Sequence, residues 1–255
     1  DFDALIESET NSTRRLMHQY FSSQIPSRQN EKTGIFKGKN LVFVCGESFS
    51  SFAVNEKYTP TLYKMANEGY NFTNFYNPIW GVSTSDGEYV QTVGLLPKTG
   101  VWSMRESSTR WLPFTMGNQF SKLSYRTLAY HNHYAEYYGR TSSHPNLGYK
   151  YKGLGTGLKV KEQWPESDLE MIDLTTGEFI GQEPWHVYYM TVSGHKNYNW
   201  SGQMMARIHK DDVADLDMSE GCKAYVACNI ELDLAMKLLI ERLDQAGELE
   251  NTVFV

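Results

Sequence analysis

The chain lacks the features that mark several common classes. Only three of its 255 residues are cysteine (Cys45, Cys222 and Cys228). An odd count without C-x-x-C spacing indicates neither a disulfide framework nor a zinc cluster, and leaves the redox compartment open. No apolar run approaches the ~18 residues that a membrane-crossing helix needs, and no secretory leader opens the sequence. Lys and Arg number 24 against 30 Asp and Glu, for a formal net charge of -6. With no basic run or stripe, a nucleic-acid surface is excluded. Residue 1 is not methionine and the sequence stops on the apolar run Thr252–Val255, so it reads as a piece excised from a longer protein.

What is present describes a globular domain. Hydrophobic residues make up 40% and charged residues 21%, enough to bury a full core, as one large α/β domain or two small ones. Tyrosine (17), phenylalanine (12) and tryptophan (6) suit either a well-packed core or a wide cleft with hydrogen-bonding walls.

The stretch Trp80–Pro97 organises the rest. Small and hydroxylated residues lead into a short amphipathic helix, and Ser85 with Glu88 has capping-box spacing. Thr84 then stands at the mouth of a helix N-terminus, where free N–H groups and the helix dipole favour an anion. A hydroxyl there suits covalent phosphoryl or sulfuryl transfer once a metal or base lowers its pKa. An ordinary capped helix start has the same residues.

Around it, residues 1–34 carry a helical pattern, a peripheral helix or linker ahead of a domain spanning 35–255. Asn40–Cys45 is a nearly continuous apolar run, as in a parallel strand buried on both faces. Glu47 follows it, in the zone beyond a strand's carboxyl end where α/β proteins collect ligands; a solvated loop carboxylate is the alternative. Thr59, Pro60 and Gly69 punctuate a helix over Thr59–Glu68, and Tyr70–Tyr76 alternates like a strand. Tyr125–Tyr130 predicts a strand, with His131, His133, Tyr138 and Arg140 crowded behind its end, fit to hold a phosphate ester and its polyol, or simply a polar loop. His144–Tyr149 and the following glycines read as a loop near the cleft mouth. His186–Val192 is a buried strand ending in Ser193-Gly194-His195. Lys196–Ser219 reads as a surface excursion, Glu220–Ala246 as an amphipathic helix stopped by Gly247, and Asn251–Val255 as the start of a strand. The alternation of strands and helices predicts a sheet flanked by helices.

The succession Gly46-Glu47-Ser48-Phe49, Thr59-Pro60-Thr61-Leu62, Phe72-Thr73-Asn74-Phe75-Tyr76 and Ser83-Thr84-Ser85-Asp86-Gly87-Glu88 resembles the extracellular catalytic domain of the lipoteichoic acid synthase family. Those proteins are phosphoglycerol transferases of the alkaline-phosphatase and sulfatase superfamily. The resemblance implies a three-layer α/β/α sandwich with its site along the carboxyl edge of the sheet. It makes Glu47 and Thr84 ligands of one divalent metal ion (Mn2+ first, Mg2+ or Zn2+ as alternatives) and Thr84 the nucleophile. It also carries substrate contacts onto His131, Tyr138, Arg140 and His195, although the family often has Trp at the place of Tyr138. The implied reaction moves a phosphoglycerol-type head group from a phosphatidylglycerol-like lipid to a glycerol-phosphate polymer or glycolipid. It would run on the extracellular face of a membrane to which the full-length protein is anchored upstream of residue 1. An Asp-His pair beyond Val255 would complete the metal site. Absence of C-x-P-S-R argues against a sulfatase proper. A phosphodiesterase, a phosphoethanolamine transferase or a catalytically silent head-group or glycan-binding module are the alternatives on the same scaffold.

Overall fold

The computed structural model describes residues 1–78, 81–182 and 184–255; Trp80, the first residue of the organising stretch, lies outside the described residues. The chain divides into two compact units, Asp1–Lys37 and Gly38–Val255. The first holds two helices, α1 (Phe2–Ser8) and α2 (Ser12–Ser23), capped by Asp1 and Asn11. Glu9 sits at their junction and takes Asn11 N–H and the Arg14 guanidinium, which is why the helical pattern breaks there.

In the second unit the apolar run Asn40–Cys45 forms strand β1, as its composition predicts. Helix α3 (Pro60–Glu68) follows, with Thr59 at the N-cap position and Gly69 beyond its end. The Thr59 hydroxyl turns away to the Ala53 carbonyl, and α3 is instead capped across the fold by Asp233, which accepts from Leu62 N–H at 2.7 Å. Then come α4 (Ser83–Val93), α5 (Ser103–Ser107), α6 (Met116–Lys122), β2 (Arg126–Tyr134), α7 (Arg140–Asn146) and β3 (Lys150–Leu154). The remainder is α8 (Asp168–Thr175), β4 (Trp185–Met190), α9 (Met204–Ile208), α10 (Glu220–Gln245) and β5 (Thr252–Phe254).

The five strands make one parallel sheet in the order β3-β2-β4-β1-β5. Successive side chains of a strand point to opposite faces, and here each face meets helices. Val42, Leu128, Tyr130, Val187 and Tyr189 pack with α3, α8 and α10 on one side. Phe43, Cys45, Ala129, Tyr188 and Met190 pack with Val93, Met104 and Leu147 on the other. The result is the three-layer α/β/α sandwich, with β4 buried along its whole length.

Three expectations change. Tyr70–Tyr76 is not a strand: Tyr70, Phe72, Phe75 and Tyr76 are exposed and pair with no strand among the described residues. Alternation supplies a strand only where a neighbouring edge completes its ladder. His144–Tyr149 is not a loop at the cleft mouth. His144 lies buried in α7, and of the following glycines Gly153 belongs to edge strand β3 while Gly155 and Gly157 lie in the turn after it. The excursion over Lys196–Ser219 is tied into the core, with Met205, Ala206 and Val213 buried against α10.

Candidate active site

Strands β2, β4 and β1 are neighbours and parallel, so their carboxyl ends share one edge. That edge brings together His131 from the end of β2, Ser193-Gly194-His195 beyond β4 and Glu47 beyond β1. Glu47 N–H donates to Thr191 Oγ1 at 3.0 Å. Gly194 packs so tightly on Glu47 that a Cβ there would overlap its carbonyl oxygen. No side chain fits that approach, which is the physical need for glycine at this position.

Helix α4 delivers Thr84 to the same place. Thr84 Oγ1 donates to Glu47 Oε2 at 2.9 Å, across 37 residues of sequence. Both residues are half-buried at the rim. The local structure differs from a capping box. Glu88 does not reach back to the helix start; Asp86 Oδ2 accepts from Gly81 and Val82 N–H at 3.0 and 2.8 Å. Ser85 Oγ accepts from Trp102 Nε1 at 3.0 Å. Four non-glycine residues among those described have positive φ, and three flank the site: Ser48 after Glu47 (53°), Ser83 before Thr84 (39°) and Tyr138 (61°). Such conformations cost energy and persist where surrounding contacts hold them.

Glu88 instead anchors a buried cluster beneath Thr84. Its carboxylate takes Arg140 Nε at 2.9 Å, Arg140 Nη2 at 2.7 Å and Tyr188 Oη at 3.1 Å, with His144 Nε2 at 3.4 Å. Burial opposes its charge, but Arg140 and His144 outweigh that and hold the carboxyl well below the usual range. Arg140, 1% exposed, also donates to the Tyr137 carbonyl and lies 5.2 Å from the Tyr138 ring centre. Its guanidinium is therefore largely engaged by the protein itself. Tyr138 packs against the Tyr137 ring at 4.4 Å and meets Trp102 edge to face at 5.5 Å between ring centres. Burial first, then the neighbouring Tyr137, push its hydroxyl up to about 12.

The histidines line an aromatic wall. His131 lies within β2 and is buried; burial and then the Arg140 charge push its imidazole well below the usual histidine range, so it is neutral. Its Nδ1–H donates to the Met190 carbonyl at 2.9 Å, leaving a lone pair on Nε2. The ring of His133 sits 6.1 Å from that of His131 and 5.0 Å from Trp164, and Trp164 is 4.8 Å from His195. His133 is oriented by buried Glu166 through Nδ1 at 2.9 Å. His195 turns Nδ1 to the Lys196 carbonyl at 2.6 Å.

Two supports were not legible beforehand. Asp168 accepts from Val192 N–H, Ser193 N–H, Ser193 Oγ and Asn132 Nδ2, fixing the ends of β4 and β2 together. Burial pushes its carboxyl up to about 6 against the pull of those donors. Gln203 Nε2 donates to the carbonyls of Ser193 and His195. Both residues sit far from the strand ends in sequence, and nothing local marks them.

Glu47 and Thr84 offer a carboxylate and a hydroxyl oxygen side by side, donors that suit a hard divalent cation. Among the described residues no group of three or more His, Cys, Asp or Glu is placed to hold a metal. No helix among the described residues is long and apolar enough to cross a membrane.

The chain is similar to known proteins in sequence and in fold. The lipoteichoic acid synthase-like YvgJ of Bacillus subtilis is 24% identical over an alignment of 254 positions that covers 92% of this chain and 39% of that protein. Lipoteichoic acid synthase 1 of the same organism is 24% identical over 94% of this chain and 39% of its own length. Among solved structures, lipoteichoic acid synthase LtaP from Listeria monocytogenes superposes with a TM-score of 0.75 at 19% identity, over 92% of this chain and 59% of that one. Streptococcus pyogenes phosphoglycerol transferase GacH, solved with sn-glycerol-1-phosphate, gives 0.61 at 14% over 99% and 66%. The chain thus spans 39% of the length of these curated relatives. The sulfatase family profile matches residues 39–255, the whole sheet and every candidate site residue, and the chain belongs to that family.

Proposed function

We propose that this chain forms the body of a catalytic domain that transfers a phosphoglycerol-type head group from a membrane phospholipid to a glycerol-phosphate polymer or glycolipid, on the extracellular face of the membrane. One observation carries the reading: Thr84 Oγ1 lies 2.9 Å from Glu47 Oε2 at the carboxyl edge of the sheet. The curated relatives named as lipoteichoic acid synthases and the fold shared with a phosphoglycerol transferase support this substrate class.

In the first half, Thr84 Oγ loses its proton and forms a bond to phosphorus while the bond from phosphorus to the diacylglycerol oxygen breaks, and that oxygen takes up a proton, so none is gained or lost overall. In the second, an acceptor hydroxyl oxygen bonds phosphorus, its proton leaves, and Thr84 Oγ is released and reprotonated. Glu47 and Thr84 would hold a divalent cation, which would lower the hydroxyl pKa and offset phosphate charge when bound. Glu47 fixes the Thr84 rotamer through their hydrogen bond. His131 and His195, each with Nδ1 given to a backbone carbonyl, turn Nε2 to the glycerol hydroxyls. Arg140, neutralised by Glu88, holds Tyr138 in place and adds a weaker pull on phosphate than a free guanidinium would.

Thr84→Ala in the full-length protein tests this. Loss of the nucleophile should remove several orders of magnitude of transfer from fluorescent phosphatidylglycerol, with a melt close to wild type, since only a hydroxyl and a methyl are lost. Near-normal transfer would overturn Thr84 as nucleophile.

A further inference from the structure

The catalytic reading makes no use of the first unit, Asp1–Lys37. Its helix α2 divides cleanly into two faces. At about 100° per residue, Leu16, Met17, Tyr20 and Phe21 share one arc of roughly 140°, and Arg15, His18, Gln19 and Ser22 fill the opposite side. The polar side is the one turned to α1. Glu9, at the junction of the two helices, pairs with Arg14 at 3.0 Å and lies 3.8 Å from His18, and its carbonyl accepts from Arg15 Nε at 3.0 Å. The apolar arc therefore points away from that junction. Leu16 is 66% exposed, Tyr20 60%, and Met17 and Phe21 52% each. A helix at home in water packs its apolar stripe and wets its polar one; here the order is reversed.

The chain beyond the helix carries the same mixture. Ile25, Ile35 and Phe36 are exposed and alternate along the sequence with Arg28, Lys32 and Lys37. Residues 11–37 hold five cations against a single carboxylate, Glu31, in a chain whose net charge is -6. A groove on another protein would ask for the apolar seam alone. Exposed apolar side chains interleaved with cations are instead the composition of a segment lying in the plane of an anionic lipid surface. Tyr20 and Phe21, edge to face at 5.4 Å between ring centres, suit the level of the head groups, where an aromatic body can be dry and a hydroxyl wet.

We propose that α2 lies flat on an anionic lipid surface. Its apolar arc enters the boundary between head groups and acyl chains, Arg14 stands at the margin of that arc beside Phe21, and the cations after the helix draw the segment to lipid phosphates. The proposal rests on the membrane location in the reading above and not on the chemistry of Thr84.

The experiment uses full-length protein in phosphatidylglycerol proteoliposomes, with exposed Cys222 replaced by serine and a nitroxide attached to Met17→Cys, Tyr20→Cys or Gln19→Cys. Oxygen concentrates among acyl chains, whereas a neutral nickel chelate stays in water. At positions 17 and 20 oxygen should relax the label more than the chelate does, and at 19 the order should reverse. Replacing phosphatidylglycerol by phosphatidylcholine should shrink the contrast, because the attraction to anionic head groups is lost. Relaxation dominated by the chelate at all three positions would put the apolar arc in water. Labels at 17 and 20 shielded from both reagents would show it covered by protein, a second copy or another part of this chain. Either result overturns the proposal, and a contrast equally strong on phosphatidylcholine overturns its charge component. Head-group transfer by the same proteoliposomes keeps the two readings apart. Normal transfer with water-exposed labels sinks the α2 assignment alone, and dead transfer with the expected contrast leaves that assignment standing while the transferase reading falls.

Discussion

Glu47 and Glu88 stand one layer apart and differ in almost everything around them. Glu47 is half-buried at the rim, and among the described residues its carboxylate meets two hydroxyls, Ser48 Oγ at 3.0 Å and Thr84 Oγ1 at 2.9 Å. Glu88 is fully buried and gripped by Arg140, Tyr188 and His144. A carboxylate short of protein donors is prepared for a ligand, whereas one saturated by them is prepared for nothing but position. The same division separates exposed Arg105 from buried Arg140. The candidate site is thus a thin, half-exposed rim laid over a buried polar layer. Substitutions in the two layers should give opposite signatures.

The largest structural effect is expected at Glu88. Glu88→Gln leaves Arg140 buried as an unpaired cation, and breaking a buried pair in this way costs about 3–5 kcal/mol. For a domain of this size that is a fall of roughly 10 °C or more in Tm. Thr84→Ala should show the reverse, activity gone and the melt nearly kept. If Glu88→Gln melted like wild type while transfer collapsed, Glu88 would belong to the rim and the division would be wrong.

Gly194→Ala sharpens the boundary between the layers. The added Cβ collides with the Glu47 carbonyl oxygen, backbone against backbone, so the end of β4 or the Glu47 loop must shift. Overpacking of this kind typically costs about 1–3 kcal/mol. Moving Glu47 also separates it from Thr84, so transfer should fall further than stability alone explains. A paired measurement of Tm and turnover decides it; a variant with lowered Tm and full turnover would detach Gly194 from the site.

Much of the scaffold was legible because its signals are local. The apolar runs at β1 and β4, the Pro60 start of α3 and the spacing along α10 each lie within one element. Glu47, Thr84 and His195 could be found because each follows a strand or opens a helix in the parallel sheet. What stayed hidden depends on distant partners. Glu88 resembles a capping residue until Arg140, 52 positions away, claims it. Asp168 gains its role only when the ends of β2 and β4 lie side by side. Tyr70–Tyr76 shows the converse, a clear local pattern with no neighbouring strand to use it.

The smallest effect concerns the tie that holds the Lys196–Ser219 excursion to the core. His209 bonds Glu231 through Nε2 at 2.7 Å and Asp212 through Nδ1 at 3.0 Å, and Ser167 donates to the other oxygen of Glu231. With both ring nitrogens facing carboxylates, the imidazolium is the form that satisfies them. Burial penalises that charge, but the bonds to Glu231 and Asp212 outweigh it and raise the His209 pKa above its ordinary 6.5. A histidine whose folded pKa is raised contributes stability that is complete below the unfolded value and is lost as pH climbs through the folded one. His209→Gln should therefore lower Tm relative to wild type most at about pH 5.5, and the gap should narrow toward about pH 9. Because Gln203, which holds the Ser193 and His195 carbonyls, lies in the same excursion, transfer should follow the melt and not precede it. A Tm gap that stayed constant across this range would show that His209 is neutral in the folded protein. A gap that widened with pH would reverse the sign and place the charge elsewhere.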